Sequence, residues 1–293
     1  MTSIVELLKI KQSDGDVGIE IEAEGAGLKE IYTPCWRTEH DGSLRGTYPE
    51  TCAEFILKKP IPIDAVRGAM AEFHSALPKA KFQFSFRTSC HVHVNIQQLE
   101  YNELLAFMYT YLLIEEPLMQ FCGQTRIGNR FCLRLADAEG MMDMLYQLFS
   151  NPGERLRGSV PRDLYRYAAM NVDAIFKYGS LEFRGMRGTA DTDTIVTWTQ
   201  ALVNLRDFSQ KLNNPTEVFE LFAYLGPEKF FEKAIGKDAA KFQYPMLVAD
   251  LQRSFSLTLD LPFAYKASEE REYVPPAKVK KAKAIVDFEE LDF

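Results

Sequence analysis

The sequence predicts an α+β fold: an antiparallel or mixed β-sheet with helices packed on one of its faces. Three observations predict it. Short segments alternate polar and apolar residues with period two, segments of helical spacing stand between them, and many connections are hairpin-like. A nearly all-parallel sheet fits less well, because its strands are buried on both sides and read as apolar throughout, whereas these are amphipathic.

Val17 to Glu24 alternates strictly, with Ile19 and Ile21 pointing one way and Glu20, Glu22 and Glu24 the other. That is a half-buried strand. Turn-forming residues from Thr38 to Pro49, including Asp41-Gly42, connect it to a second strand over Ala53 to Lys58, closed by Pro60 and Pro62. Asp64 is placed to cap a helix reaching about Leu77, with Val66, Met70 and Phe73 on its apolar face. Phe82 to Phe86 and Cys90 to Ile96 alternate and predict two more strands. Glu100 to Cys122 predicts a long apolar helix, bent or restarted at Pro117. Asp137 to Phe149 predicts a shorter helix, followed by a loop at Asn151-Pro152-Gly153. A turn at Tyr178-Gly179 leads into a strand over Leu181 to Arg184, and Thr194 to Leu212 has the pattern of an amphipathic helix.

Asn214-Pro215-Thr216-Glu217 opens a further helical region, with a capping side chain and proline at the first helical position. Two or three helices are expected there, to about Leu259. From Ala267 to Phe293 the charges segregate, Lys278, Lys280, Lys281 and Lys283 preceding Asp287, Glu289, Glu290 and Asp292, the composition of a mobile tail. The expected organisation is a catalytic domain over 1–212, a helical extension packed on it over 213–266, and the tail over 267–293.

The 293 residues are 46% hydrophobic and 12% aromatic, enough to build an ordinary core. A net charge of −7 argues against general affinity for nucleic acid or anionic membrane, since both require a cationic surface. The five cysteines, Cys35, Cys52, Cys90, Cys122 and Cys132, include no C-x-x-C pair, so neither a zinc cluster nor a redox motif is indicated. With no secretory leader and no long apolar run, free thiols in the cytoplasm are the expectation. Gly25-Ala26-Gly27 lacks the third glycine of a dinucleotide fingerprint, and neither a P-loop nor a G-x-S-x-G elbow occurs.

Three strands share an unusual polar face. Glu20 and Glu22 lie on one side of the first, roughly 7 Å apart at the rise of a strand. His91, His93 and Asn95 share a face while Val92 and Val94 turn inward, and Ser180, Glu182 and Arg184 lie opposite Leu181 and Phe183. Glu54, between Ala53 and Phe55, joins them from a fourth strand. Clustered carboxylates repel one another, and a divalent cation relieves that repulsion. Oxygen ligands with an occasional imidazole suit magnesium or manganese rather than zinc. Arg184 adds a permanent charge that can meet a phosphate. An antiparallel sheet also often has one solvated face whose polar residues need no function, and an isolated H-x-H is as well read as two ordinary strand histidines. Solvated strands, however, mix Thr, Ser, Gln and Lys, whereas these carry mostly Glu, His and Arg, which favours a site.

Gly18-Ile19-Glu20-Ile21-Glu22, Asp41-Gly42-Ser43-Leu44, Glu54-Phe55, His91-Val92-His93-Val94-Asn95, Asn171 and Ser180-Leu181-Glu182-Phe183-Arg184 occur in that order. The series resembles the amidoligases of the glutamine synthetase and glutamate–cysteine ligase superfamily, over about residues 17–190. The resemblance implies a glutamine-synthetase-like sheet binding ATP and magnesium or manganese, which activates a carboxylate as an acyl phosphate for attack by an amine. Glu20 and Glu22 resemble the E-x-E pair divided between two metals, Glu54 a further metal-binding glutamate, His91 the metal-binding histidine, and Glu182 the last metal ligand with a catalytic role. His93 is similar to the histidine nearer the nucleotide phosphates, and Arg184 to the arginine that stabilises the transferring phosphoryl group. Asp41 and Ser43 sit where substrate contacts are implied, Asn171 and Arg126 where nucleotide contacts are. The ammonium-site loop of full glutamine synthetases is not recognisable, so an amino acid, peptide or protein amine fits at least as well as ammonia.

Two rivals remain. Relatives in the superfamily phosphorylate guanidino groups, and a non-catalytic nucleotide- or metal-binding module would carry the same fold. The run Val286-Asp287-Phe288-Glu289-Glu290-Leu291-Asp292-Phe293 alternates acidic and apolar residues and could recruit a protein partner through a basic, hydrophobic groove; a solvated end is the alternative. The oligomeric state and the identities of the carboxylate and amine are not legible.

Overall fold

The structure, a computed structural model, describes residues 2–138, 140–151 and 166–270. Among these, β1 (Val17–Ala26), β2 (Trp36–Glu39), β3 (Cys52–Leu57), β4 (Lys81–Gln83), β5 (Cys90–Asn95), β6 (Met170–Asn171) and β7 (Ser180–Phe183) form one sheet. Its order is β2-β3-β1-β5-β7-β6, with β4 paired to the C-terminal end of β1, and every pairing is antiparallel. The fold is therefore α+β with a wholly antiparallel sheet.

Period-two alternation decides which face is buried. Ile19, Ile21, Phe55, Val92, Val94, Leu181 and Phe183 are all buried in the core. Helix α1 (Ile4–Leu8) precedes the sheet, held by a capping box between Ser3 and Glu6. Three helices cover the apolar face: α2 (Val66–Ala76), α3 (Tyr101–Cys122) and α6 (Thr192–Gln210). Phe73 of α2 packs 5.3 Å from Phe55 and 5.2 Å from Trp36, while Phe107 and Tyr111 of α3 meet Phe183 at 5.8 and 4.9 Å. Aromatic pairs at such separations add to what area burial alone contributes. Short α4 (Met141–Phe149) and α5 (Ala174–Tyr178) lie in the connections. Helices α7 (Pro215–Leu225), α8 (Pro227–Ile235), α9 (Leu247–Leu257) and α10 (Asp260–Glu269) follow, with α7 and α9 packed on α3. Asn214 caps α7 as its sequence predicts, its side chain accepting the Glu217 N–H at 3.0 Å.

Several boundaries differ from expectation for identifiable reasons. Asp64 does not cap α2; it sits in a 3-10 turn over Ile63–Ala65, whose entering Ile63 N–H is accepted by Asp16 instead. The strand expected over Phe82 to Phe86 ends at Gln83, because Ser85 and Thr88 bond to each other through a turn. Helix α3 runs through Pro117 without interruption, since packing around that residue outweighs one missing hydrogen bond. The helix expected from Asp137 begins only at Met141, after Gly140 in the left-handed conformation, because Asp137 is engaged by Arg134 at 2.7 Å. Helices continue past Leu259 to Glu269. Pro152 and Gly153, and the acidic-apolar run over 286–293, lie outside the described residues. All five cysteines are free thiols. No helix among the described residues is long and apolar enough to cross a membrane.

Candidate active site

The register of the sheet assembles its polar face in three cross-strand rows. Asn171, Glu182, His93 and Gly18 form one; His91, Glu20, Ile56 and Arg37 the next; Glu22, Glu54 and Glu39 the third. Because side chains alternate, one residue of slip in any strand would disperse them. Gly18 lies beside His93 in the lining of a cleft.

The contacts are close. His91 Nδ1 lies 3.2 Å from Glu20 Oε2 and 3.5 Å from Glu182 Oε1. His93 Nε2 stands 3.3 Å from Glu20 Oε1, and its Nδ1 3.0 Å from the Ser180 hydroxyl. Asn171 donates to Glu182 at 2.7 Å, and Arg184 donates to the other oxygen of the same carboxylate. Asp41, from the loop before β3, accepts the Ser43 N–H and hydroxyl at 2.7 and 2.8 Å. Ser43 is thereby committed to holding Asp41.

Ser89 is a residue that sequence reasoning missed. Its N–H and hydroxyl donate to Glu22 at 2.8 and 2.5 Å, and the same hydroxyl oxygen lies 2.6 Å from His91 Nε2. A hydroxyl has one proton to give. The Ser89 hydroxyl thus bridges Glu22 and His91 and orients the ring so that Nδ1 faces Glu20 and Glu182. The available signal was position: Ser89 precedes His91 by two, so alternation puts it on the same face.

Protonation follows this arrangement. Burial would push the Glu20 carboxyl up, but hydrogen bonds and charge from His91 and His93 hold it well below the usual range. Burial acts likewise on Glu182, and Arg184, His93 and His91 outweigh it. Burial would lower His93, yet Glu20 and Glu182 raise it. Glu22 is raised, mainly by burial. Glu54 is pushed up to about 9 by burial and by Glu20, Glu22 and Asp41, so it holds a proton at neutral pH. The face cannot carry all its negative charge unaided.

Three overlapping groups offer ligand atoms within 4.8 Å of one another: Glu20, Glu54 and His91; Glu20, His93 and Glu182; Glu22, Asp41 and Glu54. Oxygen-rich sets with one imidazole fit magnesium or manganese. Asp41, read from sequence as a substrate contact, thus joins the carboxylates. Beside Glu20 and His93 a cleft of about 180 Å³ opens, lined by Arg37, Lys58, Lys59, Tyr178 and Ser180 among others. Arg126 is different. It is fully buried beneath the site, donating to the carbonyls of Gly185 at 3.1 Å, Thr88 at 3.5 Å and Arg184 at 2.8 Å. Its guanidinium, where the sequence expects a nucleotide contact, braces the backbone that carries Arg184.

A family model described as "Putative amidoligase enzyme" matches residues 57–205, just over half of the chain. The chain belongs to this amidoligase family. The matched stretch holds His91, His93, Arg126, Asn171, Glu182 and Arg184 and continues beyond residue 190, into α6. Glu20, Glu22, Asp41 and Glu54 precede it, and it is the β1–β5 and β1–β3 register that sets them beside the amidoligase segment. No curated protein matches the chain.

Proposed function

We propose that this amidoligase is an ATP-dependent carboxylate–amine ligase of the glutamine synthetase and glutamate–cysteine ligase superfamily, requiring magnesium or manganese. The observation that carries the reading is the convergence of Glu20, Glu22, Glu54, His91, His93 and Glu182 on one sheet face, with Arg184 bound to Glu182. In this reaction a carboxylate takes the γ-phosphoryl group of ATP, giving an acyl phosphate and ADP, and an amine then expels phosphate to form the amide. A divalent cation supplies charge neutralisation and alignment of the triphosphate.

Glu20, Glu22, Glu54, His91 and Glu182 hold the cation, helped by Asp41. Arg184 remains charged, and Glu182 and the Phe131 carbonyl, 3.5 Å from its Nε, fix its plane for the charge that develops on the transferring phosphoryl group. His93, oriented by Ser180, faces the cleft where the nucleotide lies, and the cationic Arg37, Lys58 and Lys59 attract its phosphates. Asn171, the expected nucleotide contact, also steadies Glu182. The carboxylate substrate approaches from the Asp41 side, opposite the cleft. The free thiols suit the cytoplasm.

The test is a screen of the purified chain with ATP and magnesium against pools of carboxylates and amines, reading phosphate release and new amide mass. Phosphate and amide that appear together, and only when both substrates are present, bear the reading out. A stable phosphorylated guanidino product would make the protein a phosphotransferase. Biological activity left intact by Glu22→Ala would make it a non-catalytic module.

A further inference from the structure

The Asp41–Arg184 end of the site opens onto a surface that the proposed chemistry does not use. Arg87 lies over Phe86 at 5.2 Å and over Phe131 at 5.7 Å, and Arg130 lies over Phe131 at 4.8 Å. Phe131 meets Tyr167 at 6.0 Å, and Tyr167 carries Arg166 at 4.8 Å and Arg184 at 6.0 Å. Cations and rings therefore interleave in one continuous strip. Two contacts join it to the site: Arg87 donates to the Ser43 carbonyl at 3.4 Å, beside Asp41, and Arg184 belongs to both.

Within this strip, among the described residues, Arg184 alone is paired with a carboxylate. Arg67, Arg134, Arg206 and Arg253 each pair with a carboxylate. Among the described residues, no carboxylate forms an ion pair with Arg87, Arg130 or Arg166. Phe86 is 56% exposed and Tyr167 40%, so the rings form an open surface rather than a closed cavity. Exposed rings interleaved with guanidinium groups that no described carboxylate pairs are the composition of a recognition surface for anionic chains with apolar groups.

We propose that the carboxylate substrate is carried by an acidic peptide, which docks along this arginine–aromatic strip and presents one carboxyl group to the site. The inference rests on the ligase reading for what happens to that carboxyl group. Neighbouring acidic side chains meet Arg87, Arg130 and Arg166, and apolar side chains meet Phe86, Phe131 and Tyr167. A peptide fits better than a nucleic acid, because a chain of net charge −7 lacks the general cationic surface that a continuous phosphate backbone requires, and the exposed rings of Phe86 and Tyr167 suit apolar side chains. The chain itself contains a segment of the stated chemistry, Val286-Asp287-Phe288-Glu289-Glu290-Leu291-Asp292-Phe293, which lies outside the described residues.

The test uses that octapeptide, fluorescently labelled, with anisotropy read against the full chain in the absence of ATP. A control peptide replaces each Asp by Asn and each Glu by Gln. Because the chain holds the same segment, the titration is repeated on the variant D287N/E289Q/E290Q/D292N. The acidic peptide should bind at least one of these two chains and the control peptide neither. R87Q/R130Q should weaken binding about tenfold or more, and F86A less. Binding seen only with the neutralised segment supports the inference and makes the chain's own segment an occupant. Absence of binding to both chains, or binding indifferent to R87Q/R130Q, overturns it, as does a single-stranded oligonucleotide that binds more tightly than the peptide. Turnover of small free carboxylates with none of peptide carboxyl groups sinks the peptide inference alone. Peptide binding with no turnover of any carboxylate sinks the ligase reading alone.

Discussion

Glu22 and Glu54 face each other directly across the β1–β3 pair, two carboxylates in register on one face of the sheet. Like charges so placed destabilise a sheet. The structure contains them by raising both groups and leaving Glu54 protonated near neutrality, at about 9. Proton uptake and cation binding are two answers to the same repulsion, and they compete.

Loading magnesium or manganese at pH 7 to 8 should therefore release protons. Titration calorimetry in buffers of different ionisation enthalpy measures the number directly. Glu54→Gln should remove most of the release and weaken the cation. Equal heats in all buffers, after correction for dilution, would contradict the competition.

The same group sets a pH dependence of stability in the cation-free protein. A carboxyl raised from 4.5 to about 9 favours the folded state through its protonated form. That contribution is complete below pH 4.5 and is lost as pH rises through about 9. Melting temperature should fall across this window, and Glu54→Gln should flatten the fall. Glu20 and Glu182, held low, act in the opposite sense on the acid side, where protonation breaks their pairing with His91, His93 and Arg184.

Ser89→Ala leaves every presumptive cation ligand in place but removes the group that fixes both Glu22 and His91. Losses of about 10- to 100-fold in cation affinity or activity are expected, the usual effect of removing an orienting partner. Isothermal titration with manganese checks this, and an unchanged affinity would show the hydroxyl to be incidental.

Arg184→Gln should lower turnover by about 10²- to 10³-fold, as loss of a preorganised charge does, and should also destabilise the fold by leaving buried Glu182 without its partner. Arg184→Lys should not restore turnover, because a single ammonium cannot hold Glu182 and the Phe131 carbonyl together. Circular dichroism and steady-state rates on the same preparations separate the two effects.

Arg126→Met should act on stability alone. It leaves the Gly185 and Arg184 carbonyls without the side chain's donors, a penalty of about 1–3 kcal/mol for each buried group, while Thr88 keeps the Gly188 N–H. Denaturant melts should shift strongly, while the folded fraction binds ATP as the parent does.

Much of the site was legible because alternation in β1, β5 and β7 is sharp enough to assign faces from residue types alone. Glu20, Glu22, His91, His93, Glu182 and Arg184 therefore emerged together. What alternation cannot give is register, and register is what brings Ser89 to Glu22 and sets Glu54 opposite it. β2 and β6, at four and two residues, are too short for periodicity to show. The burial of Arg126 was illegible for another reason: an arginine that braces backbone carbonyls and one on the surface share the same letter.

Manganese electron paramagnetic resonance with a non-hydrolysable ATP analogue tests the central claim most directly. The free-ion signal should disappear into the protein at more than one manganese per chain, at higher affinity with the analogue present. Glu20→Gln and Glu182→Gln should each release most of that ion while melting as cooperatively as the parent. Manganese that binds equally well to both variants, or is indifferent to the nucleotide, would contradict an active centre on this face of the sheet.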